Sequence, residues 1–243
     1  MYRTLAPDKI IETLVRLEAR ISERFGGAGL ARVCAELTAI ARQTERRAQQ
    51  IARPNLVLRA FVVALLGAGA ALLVYVVQRL LTSTKTSDDL YSTLQGIDAG
   101  FNIMVLMGAA LYFLVSLEEK MKRRRALRAL HELRSIVHVI DMHQLTKDPS
   151  AEVLVTQSTA SSPKRTLTSF ELTRYLDYCS EMLSLTSKVA VLYAQSFPDP
   201  VVTEAVNDLE RTSSSLSQKI WQKITILQRI VERQRPNGYP AEL

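Results

Sequence analysis

"AFVVALLGAGAALLVYVV", residues 60–77, is an unbroken apolar run of 18 residues, and its reading decides the fold. A helix crosses a hydrocarbon core of about 30 Å with about 20 residues, and Leu80 and Leu81, beyond Gln78 and Arg79, extend the run to that length. A second run, "AGFNIMVLMGAALYFLVSL" (99–117), holds only Asn102 and Ser116 as clearly polar members and stops at "EEKMKRRR". The expected fold class is all-α: an integral membrane protein with two transmembrane helices and a cytoplasmic helical, coiled-coil hairpin. Mostly polar residues precede the first run and no cleavage-type region follows it, so it reads as an anchor and not as a removable signal.

Orientation follows from Lys and Arg, which are in excess on cytoplasmic flanks. Arg42, Arg46, Arg47 and Arg53 precede the first run, and Lys120, Lys122, Arg123, Arg124, Arg125 and Arg128 follow the second. Between the runs, Lys85 stands against Asp88, Asp89 and Asp98. Both termini are therefore expected in the cytoplasm. Lys120, Lys122, Arg123, Arg124 and Arg125 are the expected topology anchors, with membrane lipid headgroups as partners. The net charge of +7 is largely placed by this pattern, and no interleaving of aromatic and basic residues suggests nucleic acid as a partner.

Only 6% of the chain is aromatic and Gly and Pro are scarce, which favours helices over sheets. Cys34 and Cys179 are far apart and lack metal-type spacing, as expected of thiols packed between helices in a reducing compartment.

The remaining segments read as helical. Residues 1–54 form N-terminal amphipathic helices: Ile10, Leu14, Leu17, Ile21 and Phe25 recur at helical spacing before Gly26 and Gly27, and Val33, Leu37 and Ile40 mark a second helix. Pro54 is expected in the first turn of span one. The transmembrane hairpin covers 55–117, with spans at about 56–81 and 98–117 and an outer loop at 82–97. Residues 118–149 extend the second span, since Ala126, Leu130, Leu133, Val137 and Ile140 continue the period. Residues 150–167 read as a Ser/Thr-rich linker and 235–243 as a tail. In 168–234, Leu172, Leu176, Cys179, Leu183, Thr186, Ala190, Tyr193 and Phe197 alternate at four and three, the spacing of a coiled-coil seam. Thr168 and Glu171 match a capping box. Asp199 and Pro200 open a last helix carrying Val202, Val206, Leu209, Ser213, Leu216, Ile220, Ile224 and Leu227. An antiparallel hairpin is expected.

All three histidines fall in "HELRSIVHVIDMHQ" (131–144). His131, His138 and Asp141 share one side of a helix, but His131 and His138 stand about 10 Å apart, too far to ligate one ion at about 2 Å per bond. A metal there would need a ligand from elsewhere, so the expectation is a polar interhelical face, with no metal and no cofactor. A pH-sensing role is the third reading. "GGAGLA" (26–31) has glycines that could cradle an anion, but no strand precedes it and it reads as a turn. Phosphate-loop, nucleophile-elbow and dinucleotide motifs are absent, so no enzymatic activity is expected.

"HVIDMHQLTKDP" (138–149), "YLDYCSEMLSL" (175–185), "YAQSFPDPVV" (193–202) and "QKIWQKI" (218–224) resemble a group of uncharacterised two-span bacterial membrane proteins, over roughly residues 55–230. The resemblance implies a bacterial inner membrane and supplies no catalytic residues.

Two functions fit. The first is a non-enzymatic, membrane-anchored helical scaffold that self-associates through its cytoplasmic helices, with the seam at Leu172, Leu176, Cys179, Leu183, Leu209, Leu216 and Ile220, or docks a cytoplasmic protein. Gly67, Gly69, Ala70 and Ala71 facing Gly108, Ala109 and Ala110 would let spans approach closely. The alternative is an oligomeric ion channel with Asp98 and Asn102 as polar rings at an acidic mouth.

Overall fold

The computed structural model describes residues 4–83, 90–147 and 167–234. All regular structure among them is helical: α1 (Pro7–Arg24), α2 (Gly29–Ala52), α3 (Leu56–Ser83), α4 (Leu90–Leu145), α5 (Ser169–Ser196) and α6 (Pro200–Gln234). Lys85, Asp88 and Asp89, most of the 150–167 linker and the tail lie outside the described residues. Packing separates two units, one of Met1–Ala52 with Arg125–Leu243 and the other of Arg53–Arg124, and α4 contributes to both.

In the first unit each helix starts and stops where local chemistry directs. Pro7 opens α1, where a missing amide proton costs nothing, and Asp8 stands in the first turn. The helix closes at Phe25, whose amide donates to the Ile21 carbonyl at 2.8 Å. Gly27 then adopts φ +82°, a conformation that side-chain-bearing residues avoid. The turn between the helices thus occupies residues 25–28, and residues 29–31 of the glycine-rich stretch already belong to α2. At α5 the Thr168 hydroxyl accepts from the Glu171 amide at 3.2 Å, and the Glu171 carboxylate accepts from the Thr168 amide at 2.8 Å, completing the capping box. The Asp199 carboxylate caps α6 by accepting from the Val201 and Val202 amides at 3.0 and 3.1 Å.

The apolar stripes of these helices meet in one core. Ile10, Leu14, Leu17, Ile21 and Phe25 of α1 are buried with Leu30, Leu37 and Ile40 of α2, and Val33 is partly buried against them. Ala126, Leu130, Leu133, Val137 and Ile140 of α4 join the same core. So do Leu172, Leu176, Cys179 and Leu183 of α5 and Leu209, Leu216 and Ile220 of α6. α5 packs on α6, α2 and α1, and α1 on α2. Each fully buried Leu of this set contributes about 1.5–3 kcal/mol. The first unit thus joins α1, α2, the end of α4 from Arg125 onward, α5 and α6 by packing within one chain.

The second unit has the opposite surface. Helices α3 and α4 each pass the length and hydropathy a membrane crossing requires, and their large side chains face outward, with Val57 81% and Tyr112 77% exposed. Pro54 precedes α3 instead of entering its first turn, because Asn55 takes the capping position: its side-chain carbonyl accepts from the Leu58 amide at 3.4 Å. The Asn55 amide in turn donates to the Glu118 carboxylate of α4 at 3.1 Å. α4 begins at Leu90, so residues 90–97, expected in the outer loop, are helical, and α3 runs on to Ser83.

The small residues of α3 and α4 do not all face one another. A Cβ on Gly69 would collide with the Met107 side chain, so Gly69 is where a bulky residue of α4 seats against α3. Gly67 and Gly108 have open space at the corresponding position. The close approach therefore pairs one glycine with a methionine.

Candidate functional site

The C-terminal end of α4 is built on the stripe Leu130, Leu133, Val137 and Ile140, which turns it toward the core. That orientation leaves His131 and His138, on another face, exposed. The candidate trio of His131, His138 and Asp141 does not form a ligand set. The two imidazoles are separated by two turns, and the Asp141 carboxylate accepts from the Gln144 amide nitrogen at 2.6 Å. Among the described residues no group of three or more His, Cys, Asp or Glu side chains is placed to hold a metal ion.

Gln144 is the polar centre of this end. It is only 2% exposed, and the Lys223 ammonium of α6 donates to its Oε1 at 2.7 Å and to its backbone carbonyl at 3.0 Å. A buried amide is stable only when so satisfied. The bonds tie the last turn of α4 to α6.

His143, the third histidine, is partly buried and faces two other helices. Its ring lies against Gly29 at the start of α2, and its Nδ1 is 3.3 Å from the Tyr175 hydroxyl of α5. Phe25 meets the Tyr175 ring edge-on at 5.5 Å, and the Lys147 ammonium stands 5.4 Å from the Tyr175 centroid. Burial lowers the His143 pKa below the ordinary value, with Lys147 and Arg32 acting in the same direction. The arrangement holds a neutral imidazole against a tyrosine whose own pKa burial raises. Cys34 and Cys179 are unpaired and buried, and burial pushes both thiols up to about 12, so neither is a ready thiolate.

A second polar feature lies between α2 and α4. Arg47 donates to the Glu132 carboxylate at 2.7 Å and to the Gln43 side chain at 3.0 Å. Beside this pair is a cavity of about 270 Å³, reached also by Arg125 and Arg128 and backed by Ile51 and Ala129. The basic run is thereby divided. Lys120, Arg124 and Arg125 are exposed, Arg123 is partly buried and Lys122 pairs with Glu118 at 2.9 Å, and of these five Arg125 also lines the cavity.

In the apolar unit the Asn102 amide donates to the Asp98 carboxylate at 3.3 Å, one turn apart on α4. The two are exposed and bonded to each other. The sequence did not point to His143 with Tyr175, to Lys223 with Gln144, or to Arg47 with Glu132, because each pair joins helices distant in sequence. The one available signal was composition: a Lys in the middle of an apolar stripe, as Lys223 is between Ile220 and Ile224, asks for a partner.

Compared with protein families, with curated proteins and with solved structures, the chain matches none. The likeness to two-span bacterial membrane proteins gains no support from these comparisons.

Proposed function

We propose that the chain is a non-enzymatic, membrane-anchored scaffold of the bacterial inner membrane, in which two transmembrane helices carry a cytoplasmic bundle that includes a coiled-coil-like hairpin of α5 and α6. The observation that carries the reading is the outward-facing apolar surface of α3 and α4, with Leu56, Val57, Leu106 and Tyr112 at 70–81% exposure, whereas Leu14, Leu17, Leu37, Leu133, Leu176 and Leu183 of the other unit are fully buried. A continuous apolar surface of that kind is stable in lipid and not in water. The Lys and Arg before the first apolar run and after the second support a cytoplasmic location for both termini.

The proposal extends to self-association and to a cytoplasmic partner protein. Burial of Leu176, Cys179 and Leu183 within one chain leaves both contacts to other surfaces. Membranes from expressing cells are washed with alkaline carbonate, and released protein is separated from retained protein. Retention in the membrane fraction is the expected result, and release overturns the anchor. Native mass spectrometry of detergent-solubilised protein then counts subunits. A conducting ring of four or more would replace the scaffold by a pore with Asp98 and Asn102 at its mouth.

A further inference from the structure

The scaffold reading leaves the cavity between α2 and α4 without a role, although its chemistry is selective. Three guanidinium groups, from Arg47, Arg125 and Arg128, line it together with one carboxylate, Glu132. The lining therefore carries an excess of two positive charges. The ion pair of Arg47 and Glu132 at 2.7 Å fixes one arginine in place, and Arg125 and Arg128, three residues apart, share a face of α4. Ile51 and Ala129, 4% and 3% exposed, give the cavity an apolar back.

Arginine forks match the oxygen geometry of a phosphate, with two parallel donors to two acceptors. Charge selects among phosphates. A monoester carries about −1.5 to −2 at neutral pH, which offsets the excess of the lining, whereas a diester carries a single charge. Position along the chain adds a second argument. Both passages of the chain into the apolar unit, at 52–53 and 124–125, adjoin cavity residues, Ile51 on one side and Arg125 on the other.

We propose that this cavity binds a phosphomonoester group, carried by a lipid headgroup or present as free phosphate. The lipid source rests on the membrane-anchored reading, and the phosphate chemistry does not. A diffuse basic surface would also attract anionic lipid, but it would not separate a monoester from a diester beyond their charge, nor depend on two particular arginines.

The test uses the full-length protein in mild detergent, titrated with phosphatidic acid, with phosphatidylglycerol and with inorganic phosphate, and read by native mass spectrometry. Phosphatidic acid is expected to bind about tenfold more tightly than phosphatidylglycerol, the gain of charge-matched bidentate contacts. Arg125→Gln with Arg128→Gln should bring it down to the phosphatidylglycerol level. Arg46→Gln with Arg134→Gln removes two exposed arginines of the same helices outside the cavity lining, and should leave the preference intact. If inorganic phosphate binds, is lost in the first double variant, and no lipid preference is seen, the cavity stands with free phosphate as its ligand. Equal binding of both lipids without phosphate binding, or equal losses in the two double variants, overturns it. Release by carbonate with phosphate binding retained would remove the membrane reading alone. Membrane retention without selective binding would remove the cavity site alone.

Discussion

The Tyr175 hydroxyl lies 3.3 Å from Nδ1 of His143, joining α5 to the end of α4. Burial of the ring, assisted by Lys147 and Arg32, lowers the folded-state pKa of His143 below the ordinary 6.5. The folded protein then binds this proton less readily than the unfolded chain does. Stability is full above about pH 6.5 and falls as pH drops through that value toward the folded pKa. Urea unfolding at pH 7.5 and 5.5 should show a lower midpoint at the acid pH, and His143→Gln should reduce the difference. An equal acid loss in the variant would assign the effect to other groups.

Gly29 is held small by the same imidazole. A Cβ added there would stand 2.6 Å from Cε1 of His143 and 3.3 Å from Nε2. Helix propensity alone favours Ala over Gly by up to about 1 kcal/mol, but the ring would have to turn away from Tyr175. Gly29→Ala is therefore expected to destabilise by about 1 kcal/mol, the lower end of overpacking costs. In a double-mutant cycle with His143→Ala the Gly29→Ala penalty should vanish. A penalty unchanged in the His143→Ala background would place its cause elsewhere.

The elements of this chain were legible where burial is periodic. The stripe from Ile10 to Phe25, the seam from Leu172 to Leu183 and the line from Ala126 to Ile140 can be read from spacing, because one helix face meets one core. The caps at Thr168 and Asp199 were equally readable, since the residues that stop the chain also supply the bonds. The start of α4 was not. Residues 90–97 are polar enough to read as a loop, and continuity with an apolar helix prevailed over their composition. The cavity and the His143 contacts escaped for another reason. Arg47 and Glu132 are 85 residues apart, and Lys223 and Gln144 are 79 apart. Local spacing carries no information on which helix comes to lie beside which.

Ser213 interrupts the apolar stripe of α6, 2% exposed, and its hydroxyl lacks a hydrogen-bond partner among the described residues. A buried hydroxyl without a partner costs about 1–3 kcal/mol relative to one left in water. Ser213→Ala removes that group and adds a better helix former. The expected gain is about 1 kcal/mol, or about 2–4 °C in the thermal midpoint for a unit of this size. Scanning calorimetry of the detergent-solubilised protein reads it directly. A lower midpoint would mean that the hydroxyl is satisfied in solution.

The seam separates an internal core from a subunit interface. Leu176 and Leu183 are 0% exposed within one chain, enclosed by α5, α6 and the helices packed on them. A carboxylate placed there has no charged partner and little water, a cost beyond about 4 kcal/mol. Leu183→Asp should therefore abolish cooperative unfolding of the unit that contains α5 and α6 at every protein concentration, as judged by circular dichroism and dye binding. Leu183→Ala is the milder probe, with an expected loss of about 2–5 kcal/mol and unchanged subunit number. A variant that stays folded but loses subunits would show that the seam joins chains. The physical contrast is clear: an interface residue regains water when subunits part, whereas a core residue regains it only when the chain unfolds.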